Sequence, residues 1–225
     1  MVLEHQLQVY NAIWEKYSPI IRKGQIDHSQ EEETMFYGRR LYNKDNPAFL
    51  AVVFKIPSEM IWEPIQLIQA KFEKVDPNQQ YHHANYFHIT LEELGWEDQV
   101  DLDQISDEIE EIVSSYNPFE VKLKGLNCFL MTIFIQVVDQ TNSFQRIFEA
   151  IHKRFPHLIE KPFDYVPHIS IIRILTKGAP TLISLIEKKY RREIIGELSI
   201  DQIHIVRAWP YLTVGRIEVV KTILI

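Results

Sequence analysis

Apolar residues recur at Leu3, Leu7, Tyr10, Trp14, Tyr17 and Ile21. Steps of four and three mark one face of an amphipathic helix. Pro19 stands near its end and is expected to stop or kink it. Residues 23–47 lose the pattern. An acidic run, Glu31 to Glu33, and an Asn46-Pro47 turn signal read as a loop or lid without visible chemistry. From Phe49 the pattern becomes regular. Phe49 to Lys55 reads as an apolar strand. Ser58 stands where an N-cap would open a helix bearing Ile61, Ile65, Ile68, Phe72 and Val75. Tyr86 to Leu91 alternates as a strand. A helix follows with Leu102, Ile105, Ile109 and Ile112, then strands at Phe119 to Lys124 and Met131 to Val137.

A similar order then returns. Phe144, Ile147, Ile151 and Phe155 line a helix, and Val166 to Ile172 reads as a strand. Pro180 suits the first turn of a helix bearing Leu182, Leu185 and Ile186. Two last strands, near Leu198 to Val206 and Val214 to Leu224, read as an antiparallel pair. The repeated order predicts two related lobes facing each other across a cleft, preceded by a helix-and-loop extension over residues 1–47. The lobes then span 48–225.

Bulk properties narrow the class. In 225 residues, 46% are hydrophobic and 12% aromatic, as in a packed globular protein. No apolar run approaches the roughly 20 residues of a membrane span. The start of the chain lacks a basic leader followed by an apolar stretch, so no signal peptide is expected. One cysteine, Cys128, excludes an internal disulfide, and a cytoplasmic location is expected. The net charge of −7 argues against tracking a long nucleic acid, which usually requires a basic face. It leaves room for a short or cyclic phosphate held by a few local groups. The basic clusters Arg39-Arg40 and Lys188 to Arg192 read as solvated surface. No glycine-rich phosphate loop is present, so an NTP-dependent enzyme is not expected.

Two tripeptides carry candidate chemistry, His88-Ile89-Thr90 and His168-Ile169-Ser170, 80 residues apart and one per half. In a strand, residues two apart share a face. Each strand therefore presents an imidazole beside a hydroxyl, with apolar residues behind. One imidazole can take a proton from water or a hydroxyl, and the other can protonate a leaving oxygen. The hydroxyls can bond non-bridging phosphate oxygens as charge builds on them. The tripeptide alone is weak, because nine histidines among eighteen serines and threonines yield nearly one match by chance. The strand setting and the placement one per half raise its weight.

The flanks carry a resemblance. Tyr86-Phe-His-Ile-Thr-Leu-Glu-Glu-Leu-Gly95 resembles the first motif of the two-histidine phosphoesterase superfamily. Val166-Pro-His-Ile-Ser-Ile-Ile-Arg173 resembles its second, P-H-x-T/S-x-x-R. The stretch Phe119 to Phe129 between them is also similar, and the likeness runs from about Phe49 to Ile225. It implies an α+β fold of two pseudo-symmetric lobes, each an antiparallel sheet with outer helices. It implies catalysis by His88, Thr90, His168 and Ser170 with no metal and no cofactor. Members include 2′-5′ RNA ligase-like proteins, 2′,3′-cyclic phosphodiesterases and enzymes that cut 2′-5′ oligoadenylates. The expected partner is a nucleotide or short RNA with a 2′-linked or cyclic phosphate. A monomer is expected, and no membrane. Ligation or RNA end processing, and a non-catalytic nucleotide-binding module, are the alternatives.

Arg173 matches the second motif. In an unbroken strand it shares a face with Ile169 and Ile171, away from His168, and only a bulge would re-aim it. Pairing with a carboxylate is the competing reading. His82-His83 reads as exposed loop histidines, since adjacent strand side chains diverge and no metal-ligand spacing is present. Glu92 shares an unbroken-strand face with His88 and reads as a surface salt-bridge partner. His204 lies outside any motif, and His152 and His157 sit at a helix end. Trp209 and Tyr211 could stack on a base, with ordinary packing as the competing reading. Tyr211 and Arg173 are the candidate substrate contacts.

Overall fold

Helix α1 (Val2–Arg22) buries Tyr10 and Ile21 and packs Trp14 and Tyr17 partly against the core, as its apolar stripe predicts. It runs through Pro19 instead of ending there. A proline so near the helix end removes one hydrogen bond where few remain to be lost. The computed structural model describes residues 2–27, 47–156, 158, 165–209 and 216–225. The expected loop or lid lies largely outside these residues, as do His157 and Tyr211.

Among the described residues the further α-helices and β-strands are β1 (Phe49–Lys55), α2 (Ser58–Glu73), β2 (Gln80–Tyr81), β3 (His88–Trp96), α3 (Leu102–Val113), β4 (Phe119–Cys128), β5 (Thr132–Val138), α4 (Ser143–Arg154), β6 (His168–Arg173), α5 (Pro180–Leu185), β7 (Ile194–Ile200), β8 (Gln202–Trp209) and β9 (Arg216–Leu224). Pro57, not Ser58, occupies the N-cap of α2, and Val75 lies exposed beyond its end. Asp101 caps α3, its carboxylate accepting the Gln104 N–H at 3.2 Å. Pro180 opens α5 as expected.

All described strands join one curled antiparallel sheet in the order β7-β4-β5-β6-β3-β1-β8-β9, with β2 added to β6. Each lobe is four-stranded, β7-β4-β5-β6 and β3-β1-β8-β9. The lobes do not follow the chain halves. β4 and β5 cross to the β6 lobe, and the C-terminal β8 and β9 complete the β3 lobe. Periodicity specifies an element and its buried face, but not its partner. β3 and β6 meet at the single pair Ile89↔Ile169. Around that seam lies a continuous apolar core, including Phe54, Ile65, Phe72, Ile109, Ile135, Ile147, Ile169 and Ile183. Helices α2 to α5 cover this outer face.

The opposite, inner face carries the polar strand positions. On the β6 lobe α1 covers part of it. The Asn127 side-chain amide donates to the Tyr10 carbonyl at 2.7 Å, and Arg191 stacks over Trp14 at 4.9 Å. The Tyr10 hydroxyl lies 2.5 Å from the Pro167 carbonyl and 2.9 Å from that of Val137.

Candidate active site

Both His-x-Thr/Ser strands lie at the centre of the sheet, side by side and antiparallel. A register centred on Ile89↔Ile169 sets His88 abreast of Ser170 and Thr90 abreast of His168. His88 and His168 are then diagonal neighbours, whose Cα atoms in a regular sheet lie roughly 7–8 Å apart, within reach of one phosphate between long side chains. Ile89 and Ile169 are fully buried on the outer side, and the histidines and hydroxyls are only partly covered.

Each imidazole is held in the same way. The His88 Nδ1 lies 2.6 Å from the Tyr86 carbonyl, and the His168 Nδ1 lies 2.7 Å from the Val166 carbonyl. A carbonyl only accepts, so Nδ1–H is the donor and each neutral ring keeps its lone pair on Nε2. Aromatic walls fix the ring planes. Tyr86 meets His88 edge-on at 5.2 Å, and Phe129 and Phe134 flank His168 at 5.1 and 5.0 Å. Burial pulls the His88 pKa below the usual imidazole value, and the Lys55 charge adds to this, against the opposing pull of the Tyr86 carbonyl. Neither the Thr90 nor the Ser170 hydroxyl is engaged by another described side chain, which leaves both to a ligand.

Two bulges shape the floor. Opposite β5, Phe134 pairs with Ser170 but Ile133 pairs with Ile172, so Ile171 is the extra residue. Arg173 then pairs with Thr132, two residues from Phe134, and so stands on the same face as Ser170 and His168. Arg173 is thus turned towards the histidines. β3 carries the matching bulge at Leu91: Val53 pairs with Thr90, and Val52 with Glu92. This moves Glu92 to the outer face and puts Glu93 on the inner one. Glu92 is 1% exposed and lies 3.3 Å from the His152 imidazole on α4. Neither its expected place beside His88 nor its expected surface exposure holds. A one-residue bulge inverts every later position of a strand.

A family model described as the 2′-5′ RNA ligase superfamily matches residues 57–208. The chain belongs to this superfamily. It is a two-histidine phosphoesterase. An RNA 2′,3′-cyclic phosphodiesterase of Methanothermobacter thermautotrophicus is 24% identical over 176 residues, covering 74% of this chain and 94% of that one. Among solved structures, LigT of E. coli, complexed with 3′-AMP, has a TM-score of 0.60 at 12% identity and covers 80% of this chain and 98% of its own. A protein of Thermus thermophilus has a TM-score of 0.59 at 18% identity, over 78% and 97%. These two share the fold.

The remaining candidate residues fall in different places. His83 is exposed as expected, but His82 is partly buried. Its ring packs tilted against Tyr86 at 5.1 Å, and its pKa is lowered to about 4 by burial and by His88. β2 draws it in, continuing on to β6 through the His82 N–H to the Ile171 carbonyl. Trp209 ends β8 five residues beyond His204 and on the alternate face, on the order of 17 Å along the strand. It is therefore remote from the histidines. Among the described residues no group of three or more His, Cys, Asp or Glu side chains could hold a metal ion. No described helix is long and apolar enough to cross a membrane.

Three features escaped the motif reading. Tyr165 donates from its hydroxyl to the Thr90 carbonyl at 2.9 Å and so ties the approach to β6 on to β3. Phe129 and Phe134 wall His168. Lys55 pairs with His88 across β1 and β3. Of these only Phe129 sat in a stretch that carried the family resemblance. The others depend on tertiary register, which leaves no local signal.

Proposed function

We propose that the chain hydrolyses a phosphodiester involving a ribose 2′-oxygen, with a 2′,3′-cyclic phosphate on a nucleotide or RNA end as substrate. The observation that carries this is the twin setting of His88 and His168, each with Nδ1 tied to a backbone carbonyl and Nε2 left for a ligand. His88, kept neutral by burial and by Lys55, takes a proton from the attacking water. The water oxygen bonds to phosphorus, and the bond to one ribose oxygen breaks. His168, entering as imidazolium, gives its Nε2 proton to that oxygen. The products are a phosphomonoester on one ribose oxygen and a hydroxyl on the other. Thr90, Ser170 and Arg173 bond the non-bridging oxygens as negative charge accumulates there.

The relationship to an RNA 2′,3′-cyclic phosphodiesterase supports the substrate class. Purified protein is expected to open a nucleoside 2′,3′-cyclic phosphate. His88→Ala and His168→Ala should each lower kcat by about 10²- to 10⁴-fold. Full activity in either variant would refute the acid–base roles. Arg173→Ala is expected to lower kcat and kcat/KM together, as the loss of a contact that strengthens with the developing charge.

A further inference from the structure

We infer that Lys55 and His204 form a second anion subsite beside the two-histidine centre, which selects substrates carrying a further phosphate on the same nucleoside. This rests on the phosphodiester reading above. Lys55 closes β1 and pairs with His88 in the β1–β3 register. It alternates with Ala51 and Val53, so it belongs to the inner face. Its backbone N–H reaches the His204 Nδ1 at 3.4 Å, and His204 on β8 pairs with Val53. Lys55 therefore stands between two imidazoles on adjacent strands. His204 is only 7% exposed. The Lys55 charge acts on both rings and favours their neutral forms. Among the described residues its ammonium makes no ion pair with a carboxylate. A lysine ammonium at the site with no carboxylate against it is open to a ligand anion.

Charge and position separate one phosphate from two. A cyclic phosphodiester carries a single negative charge, which two imidazoles, two hydroxyls and Arg173 already surround. Lys55 and His204 sit on the β3 lobe, on the side of His88 away from His168, and are surplus to that need. Next to them the floor turns apolar, with Ala51, Val53 and Val206 packed against Ile217. Such a floor suits a sugar or base. The arrangement fits a terminal nucleoside with phosphate on both sides, as at the end of an oligonucleotide, in preference to a mononucleoside cyclic phosphate.

Calorimetric titration with adenosine 3′,5′-bisphosphate and with 3′-AMP tests this without turnover. The parent protein should bind the bisphosphate about ten- to a hundredfold more tightly, the range expected for one charge-assisted contact. Lys55→Gln should bring that ratio close to one, and Lys55→Arg should largely restore it. Equal affinities in the parent, or an unchanged ratio in Lys55→Gln, would overturn the subsite. If cyclic phosphate is still opened in that case, the hydrolytic reading stands and the subsite alone falls. If neither ligand binds and no cyclic phosphate is opened, both fall.

Discussion

His88 and His168 have backbone carbonyls two residues earlier as their anchors, Tyr86 and Val166, so the strand itself sets the tautomer. This spacing is local and follows once the tripeptides are placed on strands. The surroundings add a pH response. His82, His88 and His204 all bind protons less tightly in the fold than a free imidazole near pH 6.5, burial being the largest cause in each. Below pH 6.5 the unfolded chain takes up protons that the folded chain refuses, so stability falls as pH drops towards about 4. Above pH 6.5 these groups are neutral in both states and contribute no slope. The melting temperature is expected to decline over this window, and less steeply in His82→Gln. Parallel acid limbs for parent and variant would remove His82 from the explanation. The histidine–hydroxyl pairs were legible because period-two alternation needs no tertiary knowledge. The faces that Arg173 and Glu92 take were not, because each follows a bulge made of ordinary apolar residues, Ile171 and Leu91, with no glycine to mark it.

At the scale of elements, α1 acts as a brace for β6. Tyr10 is 1% exposed, and its hydroxyl accepts the Val137 N–H at 3.2 Å while facing the Pro167 carbonyl immediately before His168. Tyr10→Phe strips the hydroxyl from this buried cluster and should cost about 1–3 kcal/mol. A lower urea midpoint with an unchanged m-value would show it, and an unchanged midpoint would contradict it. The amphipathic stripe revealed that α1 buries one face. It could not reveal that Tyr10 and Trp14 would lie against Asn127 and Arg191, because a stripe names no partner. A second brace runs from Glu92 on β3 through His152 and Phe148 on α4 to Tyr165, whose ring stacks on Phe148 at 4.8 Å. Tyr165 then returns to the Thr90 carbonyl on β3. Tyr165→Phe should loosen the link between the two motif strands. Faster amide exchange at the seam would report it, and unchanged exchange would count against it.

Across the whole molecule, two lobes share one sheet and one core, and a single backbone pair joins them. The continuity of the core predicts one cooperative unfolding transition. Ile169→Ala at the seam should lower stability by about 2–5 kcal/mol while keeping that single transition. Two resolved transitions would mean that the lobes fold as separate units. The lobes were legible in the repeated order of helices and strands. The exchange of β4, β5, β8 and β9 between them was not, since strand order is decided by long-range pairing. The identical tethering of the two rings reaches beyond their positions. In the proposed reaction the mobile proton starts on His168 and finishes on His88. Each turnover therefore leaves the site as the mirror image of its starting state, primed for the reverse reaction. Before the next forward cycle the proton must cross back through water, so the enzyme resets by diffusion of one proton and not by movement of the chain.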